Sequence, residues 1–167
     1  DTTDKQPVLL ITGGKITVNA DGDGLDSNGN LRVEDGDITV NGPSNGGNGA
    51  LDIGTENGGA GVIAGGTLIA LGTSSMAENF GSTSTQCAFL VTMNSFGVGE
   101  TITLTDSHGT VLYTGVTAKS ANSVVFSSAD LGVGETYTVT SGSGSATVKQ
   151  SSTVVGNSNG FGGFGRH

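Results

Sequence analysis

Three stretches decide the fold: LLITGGKITVNA (residues 9–20), LRVEDGDITVNG (31–42) and GVIAGGTLIALG (61–72). Aligned, they place Gly14, Gly36 and Gly66 in one column, Ile11, Val33 and Ile63 in a second, and Ile16, Ile38 and Leu68 in a third. The columns recur after 22 and then 30 residues. Between them, GLDSNGN (24–30) and ALDIGTE (50–56) align Leu25 with Leu51 and Asp26 with Asp52. A short strand unit cannot bury its apolar face alone, and stacking on its neighbours lets it do so. Alternation turns Ile16 and Val18 to one side and Thr17 to the other. Equivalent side chains of successive parallel strands then stack about 4.8 Å apart. The glycines mark corners, where the backbone needs φ > 0 or passes close to its neighbour. The pattern predicts an all-β protein whose residues 1–82 form a short parallel β-helix. A β-sandwich with look-alike hairpins is the alternative, and the in-register corners disfavour it.

The columns fade after Asn79. A second repeat follows, FGVGETITLTDSHG (96–109) against LGVGETYTVTSGSG (131–144), offset by 35 residues. Each copy reads as a turn, GVGET, followed by an alternating strand. VLYTGVTA and SVVFSS lie between them and are also strand-like. Residues 83–155 are therefore predicted to form a small antiparallel β-sandwich-like module. Residues 156–167 are predicted to be a Gly-rich tail. Its Phe161 and Phe164 are candidates to dock on a neighbouring groove.

The composition limits the function. Of 167 residues 31 are Gly, without the Gly-X-Y period of collagen, and Thr, Val, Ser and Gly disfavour helix. The net charge of −9 repels nucleic acid and anionic membranes and favours cations. The single cysteine, Cys87, excludes an intrachain disulfide, and its CAFLV context predicts an inert, buried thiol. No apolar run is long enough to span a bilayer. The sequence opens DTTDKQP, without a methionine, as a processed or truncated product would. The apolar strand starting at Val8 has almost nothing before it. Earlier coils, a cap or another molecule is expected to cover that end of the stack.

The stretch DGDGLDSNGN (21–30) supplies Asp21, Asp23, Asp26, Asn28 and Asn30 as oxygen donors of the kind calcium takes. Its spacing is that of neither an EF-hand nor a nonapeptide calcium repeat. On stacked coils Asp52 joins Asp26 from the next turn. The corresponding third stretch, SSMAENF, has Ala77 at the aligned position, so the row of acids is expected to stop after two coils. The same residue types also make plain turns by bonding their own backbone, and both readings stand. VEDGD (34–37 and its flank) reads as a solvated turn. With no Trp and two Tyr, the chain lacks aromatic platforms for stacking on sugar rings. Asn41, Asn45 and Asn48, in the loop NGPSNGGNG, are the candidate ligand-facing groups. Arg32 is the one arginine near the acidic motif. Neither it nor His108 belongs to a recognisable catalytic constellation, so no catalysis is expected.

DGDGLDSNGNL, ITVNGPSNGGNGALDIGT and AGGTLIALGTSSMAENF together resemble the bacterial carbohydrate-binding domain family of secreted right-handed β-helix proteins, similar in coil shape to pectate lyases. The segment LTDSHGTVLYTGVTAKSANSVVFSSADLGVGETYTVTSG resembles the small β module that ends many of them. The resemblance spans about residues 8–165 and matches the C-terminal part of the family pattern. It implies a right-handed coil, an extracellular or cell-surface location, bound calcium, and non-catalytic binding of acidic or cellulosic plant polysaccharide. A different reading is a structural subunit of an extracellular filament or surface assembly, self-associating through the bare first strand by coil stacking or strand donation.

Overall fold

The computed structural model describes residues 6–142 and 144–156. The tail from 157 onward, with Phe161 and Phe164, lies outside the described residues. The fold is all-β. In chain order the strands are β1 (Val8–Asn19), β2 (Leu25–Ser27), β3 (Asn30–Asn41), β4 (Leu51–Ile53), β5 (Gly61–Ile63), β6 (Thr67–Gly72), β7 (Ala88–Phe96), β8 (Thr101–Thr105), β9 (Val111–Val116), β10 (Ala121–Ser127), β11 (Thr136–Ser141), β12 (Gly144–Lys149) and β13 (Val154–Val155). Single 3₁₀ turns fall at Thr55–Asn57 and Ser74–Met76. No helix among the described residues is long and apolar enough to cross a membrane.

The first six strands pair in parallel, in the register of the sequence columns. Ile11 lies beside Val33 and Val33 beside Ile63, while Ile16, Ile38 and Leu68 form a second row. β2 and β4 pair separately, Leu25 with Leu51 and Asp26 with Asp52. Gly14, Gly36 and Gly66 all have positive φ, at 88°, 125° and 83°. At such a corner an L side chain is strained, and glycine is not. Leu25, Leu31, Val33, Ile38, Val40, Leu51, Ile53, Ile63 and Leu68 meet in one core between the large sheet and the β2–β4 pair.

The last parallel strand, β6, is covered by a strand from the far end of the chain. β10 runs antiparallel to β6 on one side and to β7 on the other, and β13 adds in parallel beyond β7. One mixed sheet thus runs β1-β3-β6-β10-β7-β13, across the boundary expected near residue 82. β6, β10 and the first half of β7 are buried on both faces. Leu68, Ala70, Ala88, Leu90 and Val125 point into the first core, and Ile69, Leu71, Phe89, Val91, Val124 and Phe126 point into a second. That two-sided burial explains the unbroken apolar runs LIAL, AFLV and VVF, which carry no alternation to read.

The second core is closed by a four-stranded antiparallel sheet, β12-β11-β8-β9, which contributes Ile102, Leu104, Tyr137 and Val139. Its two hairpins carry the second repeat, and equal sequence makes equal turns. Gly99 N–H and Thr117 N–H bond Thr117 O and Glu100 O in one copy; Gly134 N–H and Gln150 N–H bond Gln150 O and Glu135 O in the other. Gly99 and Gly134 both have positive φ. Ile102 and Tyr137, aligned in sequence, are 1% and 2% exposed.

Candidate cation site

The β2–β4 wall presents its acids by simple alternation. Leu25 and Ser27, like Leu51 and Ile53, turn inward and are buried, so Asp26 and Asp52 turn outward side by side. Asp23 joins them from the turn before β2, where its Oδ1 accepts the Gly49 N–H at 2.8 Å. Carboxylate oxygens of Asp23, Asp26 and Asp52 lie within 4.8 Å of one another.

A fourth acid extends the row. Ala77 and Asn79 are buried while Glu78 between them faces out, the same in-out-in pattern as Leu51-Asp52-Ile53. Glu78 Oε2 accepts the Ile53 N–H at 3.2 Å. The expected end of the row at Ala77 is therefore corrected by one residue. Asp26, Asp52 and Glu78 are spaced by 26 and 26 residues, and that equal step was the signal for Glu78. Glu56, exposed in the 3₁₀ turn after β4, adds to the negative field.

The cluster raises the proton affinity of Asp52 and of Glu78. Partial burial pushes the Asp52 carboxyl up, and Asp23, Asp26 and Glu56 push it further. Burial likewise lifts Glu78 to about 7, with Asp52 and Glu56 adding to the rise and the Ile53 N–H opposing it. Like charges this close favour a bound counter-charge.

The remaining sequence candidates lie elsewhere. Asp21 is fully exposed and held by Lys119 Nζ, which keeps its carboxyl below the usual range. Asn30 Oδ1 accepts the Ala60 N–H at 2.8 Å, capping the next strand. Asn28 is exposed, and its backbone carbonyl accepts Asn57 Nδ2 at 3.3 Å. Asn41 is 4% exposed; its Nδ2 donates to Asn19 Oδ1 at 2.9 Å, so its amide serves the stack and does not face solvent. Arg32 is on the outer face of β3, where its Nε donates to Glu34 Oε2 at 2.7 Å.

Asn45 and Asn48 are on the loop beside the acidic wall. Asn45 Nδ2 donates to the Asp21 carbonyl at 2.8 Å, and Asn45 Oδ1 accepts Gly47 N–H and Asn48 Nδ2. The other flank of this loop borders an open cleft of about 330 Å³ lined by Ser44, Ser74, Ser75, Ser95, Ser120 and Asn122. Most of its side chains carry hydroxyls, and one carries an amide. Among the described residues the phenylalanines and Tyr137 are buried, and Tyr113 is half-buried against Phe126. Cys87 is half-buried, and burial raises its thiol.

Comparison with protein families, with curated proteins and with solved structures gives no match to this chain.

Proposed function

We propose that the chain is a secreted, non-catalytic, calcium-binding carbohydrate-binding protein of the cell surface or extracellular space. In this reading its first eighty or so residues wind as a short right-handed parallel β-helix. Parallel strands joined by crossovers support the winding, and such crossovers are right-handed in nearly all proteins.

One observation carries the calcium assignment: the convergence of Asp23, Asp26 and Asp52 within 4.8 Å. The donor set fits a hard cation, because it offers only oxygens and no imidazole or thiolate. Asp23 and Glu78 each spend one oxygen on a backbone N–H, which orients the carboxyl and leaves the other oxygen available. Asp23, Asp26 and Asp52 would hold the ion, with Glu78 next in line. Bound calcium supplies a counter-charge to the acids and a bridge to uronate carboxylates.

The polysaccharide is proposed to be acidic or of plant cell-wall type. A hydroxyl-lined cleft beside the acidic wall, without exposed aromatic rings among the described residues, suits hydrogen bonding and ion bridging better than stacking on crystalline cellulose. Asn45 and Asn48, on the loop between the two, are the proposed ligand-facing side chains.

The test is a melting curve in calcium and in chelator, followed by a polygalacturonate pull-down. A ligand bound only by the folded state raises the transition by several degrees. Asp26→Ala/Asp52→Ala should lose both the calcium increment and the pull-down. An unchanged transition on chelation, with no metal by elemental analysis, removes the calcium assignment. Equal retention of the double variant on the polysaccharide separates sugar from metal.

A further inference from the structure

The far end of the parallel stack is covered by β10, but β1 at the near end pairs with β3 alone among the described residues. β1 is a 12-residue edge carrying one charge, Lys15. Val8 and Leu10 are 55% and 51% exposed, and Leu9, Ile16 and Val18 are only partly covered by the core beneath them. Proteins normally protect such an edge with charges, proline or a covering segment.

The burial pattern of β1 is symmetric about its middle. From Val8 to Asn19 it reads exposed, half-buried, exposed, buried, four exposed, then half-buried, exposed, half-buried, exposed. The cause is the irregular stretch between Ile11 and Lys15, centred on Gly13–Gly14, where the register with β3 shifts twice. Before it the inward residues are odd-numbered, Leu9 and Ile11; after it they are even-numbered, Ile16 and Val18. In an antiparallel pair, directly opposed residues share a face. A two-fold axis at Gly13–Gly14 therefore opposes Leu9 to Val18 and Ile11 to Ile16 of a second copy, inward against inward. It opposes Leu10 to Thr17, outward against outward. A strand without the parity shift would set inward residues against outward ones in this register.

We propose that β1 is the interface of a two-fold dimer, in which the β1 strands of two copies pair antiparallel about Gly13–Gly14 and close each other's open end. Charge agrees with this occupant. Lys15 of each copy stands opposite Thr12 of the other, whose own row partner in β3 is Asp35, while its own row partner is Asp37. Each ammonium thus enters a row flanked by acids of both copies. An isologous contact of this kind closes at two copies and makes no filament. It rests on the β1–β3 register and stands whether or not calcium or polysaccharide binds.

Sedimentation or light scattering of the 167-residue chain at micromolar concentration tests it. The expected mass is twice 16.4 kDa. Leu10→Glu/Thr17→Glu sets like charges against each other twice across the axis, and should give a folded monomer that melts cooperatively at a temperature independent of protein concentration. Leu10→Glu/Thr17→Lys sets opposite charges there and should restore the dimer, now weakened by salt. A monomeric wild type, an assembly larger than two, or the same mass for both double variants overturns the proposal. A monomer whose β1 amides exchange slowly with deuterium identifies a covering segment of the same chain, and overturns it equally.

Discussion

Glu78 holds its proton well above the usual carboxylate range because its surroundings are half-dry and its neighbours are acids. Its folded proton affinity, about 7, is above the unfolded value of 4.5. Between those values the folded protein binds more protons than the unfolded one, so stability falls as pH rises through the window and levels off above it. In chelator we expect the melting temperature to drop from pH 5 to pH 8, corresponding to about 1–2 kcal/mol once solvent screening of a half-buried group is allowed for. Glu78→Gln should flatten the profile, and calcium should flatten it in the parent protein. A parent profile that is level without metal would mean the wall acids do not sense one another. This residue also marks a limit of reading by alignment. Asp26 and Asp52 sit under one another in matching segments, LDS and LDI. Glu78 follows an alanine in a segment with no strand, where nothing but the 26-residue step fixes the register.

At the level of the strand and its corner, the glycine column makes a graded prediction. Gly66 has φ +83°, and a Cβ there would lie 2.7 Å from the Gly36 carbonyl oxygen. Gly14 has φ +88° and nothing within 4 Å. Replacing either with alanine incurs the left-handed backbone strain, about 1 kcal/mol. Only Gly66→Ala adds a clash with rigid backbone of the adjacent strand. We expect denaturant midpoints to show Gly66→Ala at least about 2 kcal/mol below Gly14→Ala. Equal costs would mean that the corners do not stack. The columns and corners of β1, β3 and β6, and the in-out sense of β1 and β3, were legible beforehand because they follow from a covalent repeat. Asn41 was not: it looked like a loop amide, but as the last residue of β3 it lies on the face opposite Val40, bonded to Asn19 and buried under the Ala118 backbone.

For the whole molecule, β10 joins what the sequence divides. It separates β6 from β7 and faces both cores, Val125 toward one and Phe126 toward the other. Phe126→Ala should cost about 3–5 kcal/mol, as removal of a buried aromatic does. The loss should lower a single transition seen alike by far-ultraviolet dichroism and by the fluorescence of Tyr113 and Tyr137. Two separated transitions would show that residues 1–82 and 83–155 fold independently. The single-transition expectation rests on one continuous sheet, since separating its halves would bare Ile69 and Leu71 on one side and Phe89 on the other.

By itself the sequence determined which residues stack and which way each points. Periodic side chains and glycines at positive φ impose that locally, whatever else the chain does. Only the tertiary structure decided what closes the stack. Gly72 meets Ser123 and Leu68 meets Ser127 in antiparallel register between segments that share no repeat. No local signal marks such a pairing. The uncovered backbone edge of β6 and apolar strands buried on both faces select it, and those exist only once the first strands are in place.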